Sequence, residues 1–240
     1  MKDSIKREKK EQTRSSERKN YQPKSETKEA GTKRVFNLII VDESGSMSII
    51  RKQAFAGMNE TLQTVRQMQS KFPDQEQRVT LITFDSDHTK VHYDNTPAVQ
   101  TKDLDWKAYS PCAATPLYDA IGKGISKVNA QVEEGDNVLV TIITDGEENS
   151  SEEWTLKMVR TMIEKLKKQH WTFTLIGTDA LDVEGMAHSF AIDEHLKFQQ
   201  TEAGTLDMFA LERRSRERYN CYIFEDAVMP TGSFFDEEGS

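Results

Sequence analysis

The chain has 240 residues, 30% of them charged and 36% hydrophobic, with a net charge of −8 and a mean hydropathy of −0.70. No apolar run approaches the roughly 20 residues that span a bilayer. Residues 1–34 hold twelve Lys/Arg against six Asp/Glu, which leaves the remainder at −14, the wrong sign for a general nucleic-acid binder.

Neither a membrane nor a nucleic acid is therefore expected as a partner. Cys112 and Cys221 match neither a zinc pattern nor a disulfide framework. With no apolar h-region in the first 30 residues, a cytoplasmic location is expected.

Residues 1–33 contain too little apolar surface to offset their ordering entropy and are expected to form a charged, disordered tail. The pattern changes at residue 34. Residues 35–41 form a continuous apolar strand of the kind buried on both faces. Ile50, Ala54, Met58, Leu62, Val65, Met68 and Phe72 then recur at helical spacing.

Residues 78–84 read as a second strand, and 89–93 as its hairpin partner, since three to five residues are too few for a crossover. His88 and His92, four apart, have no third ligand near in sequence and read as an exposed polar edge. A long loop over 94–114 leads to a helix with Leu117, Ile121, Ile125, Val128 and Val132 on one face. Residues 137–144 form the next buried strand. Ser150 to Glu153 has the spacing of a capping box opening a helix with Leu156, Val159, Ile163 and Leu166 inward.

A strand over 171–177, a short helix over 186–190, a weak strand over 196–199 and a last helix over 206–219 follow. The order β-α-β-β-α-β-α-β-α-β-α predicts an α/β fold: a doubly wound, mostly parallel sheet with helices on both faces and one antiparallel edge strand. Residues 34–220 are the expected domain, and 221–240 an acidic, flexible tail.

Asp42, Ser44 and Ser46 leave the first strand with period-two spacing, and Asp145 ends the strand over 137–144. In an open parallel sheet, ligands bind beyond the carboxyl ends of the strands where strand order reverses. If the two strands are neighbours, both carboxylates meet in one crevice, and Thr115 reaches it from the start of its helix. These donors are carboxylate and hydroxyl oxygens only, a set that favours Mg2+ or Mn2+ over zinc or copper. Two aspartates at most neutralise such an ion, so a partner's Asp or Glu has room to add a carboxylate.

Asp42-Glu-Ser-Gly-Ser46, Thr115 within Ala114-Thr-Pro-Leu117 and Asp145 within Thr144-Asp-Gly146 together resemble the metal-ion-dependent adhesion site of von Willebrand factor A domains, over residues 35–220. The resemblance implies a three-layer Rossmann-like fold with a six-stranded sheet in the order 3-2-1-4-5-6. It also implies that Ser44, Ser46 and Thr115 coordinate Mg2+ directly, with Mn2+ or Ca2+ as substitutes, and that Asp42 and Asp145 bind it directly or through water.

The function implied is that of an adaptor whose partner completes the coordination with an acidic residue. Relatives of the intracellular bacterial type suggest an AAA+ ATPase or a stress-response complex as that partner. Glu43, Met47 and the loop over 94–114 are expected to rim the crevice. The acidic strip Glu147, Glu148, Glu152 and Glu153 and the arginine-rich run 213–218 are lesser candidates for contact.

Two other functions remain open: a Mg2+-dependent phosphohydrolase with Asp42 as nucleophile, and self-association through the acidic C-terminal tail. The first lacks an Asp-x-Asp pair after the first strand, and the chain has no phosphate loop. The second rests on charge and reach alone.

Overall fold

The computed structural model describes residues 32–236. Most of the expected N-terminal tail, residues 1–31, lies outside the described residues, as do residues 237–240.

Six strands, β1 (Lys33–Asp42), β2 (Gln75–Phe84), β3 (Thr89–Pro97), β4 (Asn137–Thr144), β5 (Trp171–Thr178) and β6 (Glu194–Phe198), form one sheet in the order β3-β2-β1-β4-β5-β6. Every pairing is parallel except β2 with β3. Among the described residues five α-helices cover it: α1 (Arg51–Lys71), α2 (Leu117–Asn129), α3 (Leu156–Leu166), α4 (Val183–Phe190) and α5 (Glu202–Phe224).

β1 shows why the central strands are largely apolar. Phe36, Leu38 and Ile40 point into a core shared with α2, α3 and α4, whereas Ile39 and Val41 point into a second core with α1 and residues of α5. With both faces buried, the period-two alternation of a half-buried strand disappears. β3 lies at the antiparallel edge, with no buried residue along its length, and alternates toward solvent.

The sequence missed three local features. The stretch from Ser150 to Glu153 does not cap a helix: α3 begins at Leu156, and Thr155 caps it by accepting from the Met158 N–H. The N–H groups of Ser150 and Ser151 go to Glu148, and those of Glu152, Glu153 and Trp154 to Asp119, so two carboxylates hold this stretch as a loop.

The domain also does not stop at residue 220. Helix α5 runs on to Phe224, and the chain then folds back. Phe234 is fully buried against Tyr219, Val35 and Leu139, and Glu194 accepts the N–H groups of Gly232 and Phe234. The two phenylalanines near the end of the chain are thus an anchor for residues 225–236 instead of part of a flexible tail.

Third, Arg216 of the arginine-rich run is fully buried and no docking group.

Candidate metal centre

β1 lies between β2 and β4, with Asp42 opposite Phe84 and Val41 opposite Ile143. The carboxyl ends of all three strands therefore share one edge. The crossover through α1 leaves β1 on one face of the sheet, and α2 enters β4 from the other, so this edge is the switch point of the topology.

Asp42 is fully buried there. Its Oδ1 accepts the Ser44 N–H at 2.7 Å, and its Oδ2 accepts the Thr144 hydroxyl at 2.6 Å. The chain then turns through a short 3-10 helix, Gly45–Ile50, which sets Ser44 Oγ 3.2 Å from Ser46 Oγ. Ser46 Oγ donates to Asp145 Oδ1 at 2.7 Å, and Gln200 Nε2 donates to Asp145 Oδ2 at 2.7 Å. Thr115 is buried at the end of the long loop, held by Asn149: its N–H donates to Asn149 Oδ1 at 2.8 Å, and its carbonyl accepts the Asn149 N–H at 3.1 Å.

Gly146 locates the convergence. A Cβ built on it would stand 3.0 Å from Thr115 Oγ1, 3.7 Å from Asp42 Oδ2 and 3.8 Å from Ser46 Oγ. Oxygens from two distant segments thus face, beside a third, one small space that a hydrogen leaves open. All five residues singled out in the sequence come together at this edge. The donor set is hard oxygen throughout, and among the described residues neither aspartate forms an ion pair with Lys, Arg or His.

Burial, helped by the charge of Asp145, raises the Asp42 carboxyl to about 6 against the hydrogen bonds from Thr144 and Ser44. Burial likewise raises Asp145, opposed by its bond from Ser46. Two carboxylates held in a low-dielectric edge without a counterion suit a divalent cation, which would lower both. Such an ion fits the residues present.

The long loop is fastened to this edge. The Tyr109 hydroxyl, fully buried, donates to the Asp42 carbonyl at 2.7 Å, and Gly45 N–H donates to Ala113 O at 3.1 Å. The Arg51 guanidinium donates to Tyr109 O at 2.8 Å and stacks 4.3 Å from the Trp106 ring.

Two expected rim residues turn inward. Glu43 is buried, accepting from Lys90 Nζ at 2.7 Å and from the Ser110 N–H. Met47 faces the core with Ile50, which leaves Ile49, 70% exposed, on the outer side of the turn. The acidic strip divides as well: Glu147, Glu152 and Glu153 are exposed, but Glu148 caps the loop before α3 and the Tyr118 N–H.

Thr144, Asn149, Tyr109 and Gln200 were not singled out in the sequence. Thr144 adjoins Asp145 but reads as one more residue of an apolar strand. Gln200, 55 residues past Asp145, carries no local signal at all.

Solved structures of similar fold include proximal thread matrix protein 1 from the mussel byssus, at 15% identity and TM-score 0.54. The match covers 79% of this chain and 47% of that one, so the chain spans about half of that protein's length. The vWF domain of the type V pili tip protein Mfa5 from Porphyromonas gingivalis matches at 10% identity and TM-score 0.56, over 83% of this chain and 98% of that one. The VWA domain of SpRpn10 matches at 12% identity and TM-score 0.51, over 75% and 94%. No curated protein matches the chain by sequence. At these identities the structures establish the fold. The model of the von Willebrand factor type A domain matches residues 38–212, and the chain belongs to that family.

Proposed function

We propose that this domain binds a protein partner through a divalent cation, with Mg2+ as the resident ion. Ser44, Ser46 and Thr115 hold it directly, and Asp42 and Asp145 hold it directly or through water. The ion supplies a Lewis-acidic position that accepts one further carboxylate, from an Asp or Glu of the partner.

The single observation that carries this reading is the space beside Gly146, faced by Thr115, Asp42 and Ser46 oxygens. Thr144 and the Ser44 N–H orient Asp42, and Gln200 orients Asp145. Ile49 and the loop carrying Trp106, both at the surface, are the contacts that select the partner. The family resemblance suggests an AAA+ ATPase or a stress-response complex in the cytoplasm. Among the described residues no helix is long and apolar enough to cross a membrane.

Binding is favoured over phosphoryl transfer because the first strand is followed by no Asp-x-Asp pair and the sequence has no phosphate loop. Calorimetric titration with Mg2+, followed by capture of partners in Mg2+ and in EDTA, tests the proposal. Wild type should bind one ion and retain a partner only in Mg2+, and Asp42→Ala should do neither while remaining folded. A metal-free, folded Asp42→Ala protein that keeps the same partner would refute it.

A further inference from the structure

A second group of donors lies one strand away, where β2 ends. Asp85 follows Phe84 and is buried. Its Oδ1 accepts the N–H groups of Asp87 and His88, each at 2.7 Å, and its Oδ2 accepts the Cys112 thiol at 3.3 Å. His88 Nδ1 stands 3.5 Å from Asp85 Oδ1. One carboxylate oxygen each of Asp85 and Asp87 and the Cys112 sulfur all lie within 4.8 Å of one another. Cys112, Asp87 and His88 are open to solvent.

The turn around Asp85 accounts for that residue alone. It explains neither the Asp87 carboxylate nor a thiol brought in from a separate segment. Backbone bonds fix the approach: Ser86 N–H donates to Ala114 O at 3.0 Å, Ala114 N–H to Ser86 Oγ at 3.1 Å, and Cys112 N–H to Glu43 O at 2.9 Å.

Charge points the same way. Among the described residues no Lys or Arg pairs with Asp85 or Asp87. Glu43, fully buried, adds a third carboxylate whose charge reaches the thiol; its Oε1 takes Lys90, and among the described residues its Oε2 has no hydrogen-bond partner.

We propose a second cation site formed by Asp85, Asp87 and Cys112, for a divalent ion of borderline softness such as Zn2+. The sulfur donor distinguishes it from the all-oxygen set beside Gly146, and one thiolate with two carboxylates, solvent completing the shell, suits Zn2+. As the sulfur–metal bond forms, Cys112 releases its proton to solvent and Asp85 Oδ2 turns from the thiol to the ion. The bound ion pins the β2–β3 turn to the segment that carries Thr115, so its occupancy sets how firmly that loop is held. The site does not depend on the function proposed above.

Titration of the full chain with Co2+ in excess Mg2+, followed by displacement with Zn2+, tests this. One Co2+ per chain should give a sulfur-to-cobalt charge-transfer band, retained in Asp42→Ala and in Cys221→Ser and lost in Cys112→Ser. Cys112→Ser should weaken Zn2+ by more than about tenfold, the lower end of the loss from lesser, outer-sphere changes. Because Cys112 is exposed, that variant should keep the wild-type circular dichroism. The proposal fails if no thiolate band forms, if the band survives in Cys112→Ser, or if Asp42→Ala alone abolishes Co2+ binding.

Discussion

Two buried polar clusters sit in this domain, and they are built on opposite terms. Beneath α5, Arg216 donates to Glu212 at 2.9 and 2.5 Å, to Asn37 at 2.6 Å and to Thr141 at 2.9 Å. Asn37 then donates to Gln77, and Gln77 to Asn220 and Gln75, so the network ties α5 to β1, β2 and β4. It carries its own cation. At the carboxyl edge of the sheet, Asp42 and Asp145 are as deeply placed but have hydroxyls, amides and each other for neighbours. A buried charge that finds its partner within the chain is structural, whereas one left for an ion from solvent marks a site.

That contrast breaks most severely at Arg216. Arg216→Met leaves Glu212 charged and unpaired in the core and should cost about 3–5 kcal/mol in urea unfolding, with Glu212→Leu in the same chain recovering most of it. Asp42→Asn should do the reverse in EDTA, leaving stability equal or higher, since it removes a charge that has no counterion.

The anchor after α5 comes next. Phe234→Ala should destabilise by about 3 kcal/mol and expose residues 225–236 to protease, because it empties a fully buried aromatic site. A flexible tail would show neither effect.

Acidity sharpens the comparison through Asp42, whose folded value of about 6 exceeds the ordinary 3.8. Its contribution to apo stability is present in full below 3.8 and is lost as the pH rises through about 6, a swing of about 3 kcal/mol. The difference between wild type and Asp42→Asn, measured in EDTA from pH 4 to 7, isolates it from the other carboxylates. Mg2+ affinity should run oppositely, falling about tenfold per pH unit below 6.

The smallest effect on the fold and the most selective on the site belongs to Gly146→Ala. Its methyl group would enter the space 3.0 Å from Thr115 Oγ1. Stability in EDTA should change by about 1 kcal/mol, since the Thr115 hydroxyl has only to give by a few tenths of an ångström, while the thermal shift produced by Mg2+ disappears.

Much of this could be read from the sequence because its causes are local. A strand buried on both faces is apolar along most of its length, and β1 and β4 are, apart from Asn37 and Thr141, which meet Arg216; helices packed on one side show a three-and-four stripe, and α1 and α2 do. Asp42, Ser44, Ser46, Thr115 and Asp145 stand at element ends, where the alternation of strand and helix already sends them to one edge. Ser150 to Glu153 misled because a capping-box spacing says nothing of a carboxylate arriving from α2.

The sequence by itself therefore determined the order of elements, the edge on which the five oxygens meet and the kind of ion such oxygens favour. Only the tertiary structure decided that Glu43 and Met47 face inward, that Arg216 is a core residue and that Phe234 fastens the end of the chain. It also decided that Gln200 and Thr144 orient the aspartates and that Cys112 meets Asp85. Each of those depends on contacts between segments remote in the chain, and the direction of a side chain there is set by the neighbour it finds.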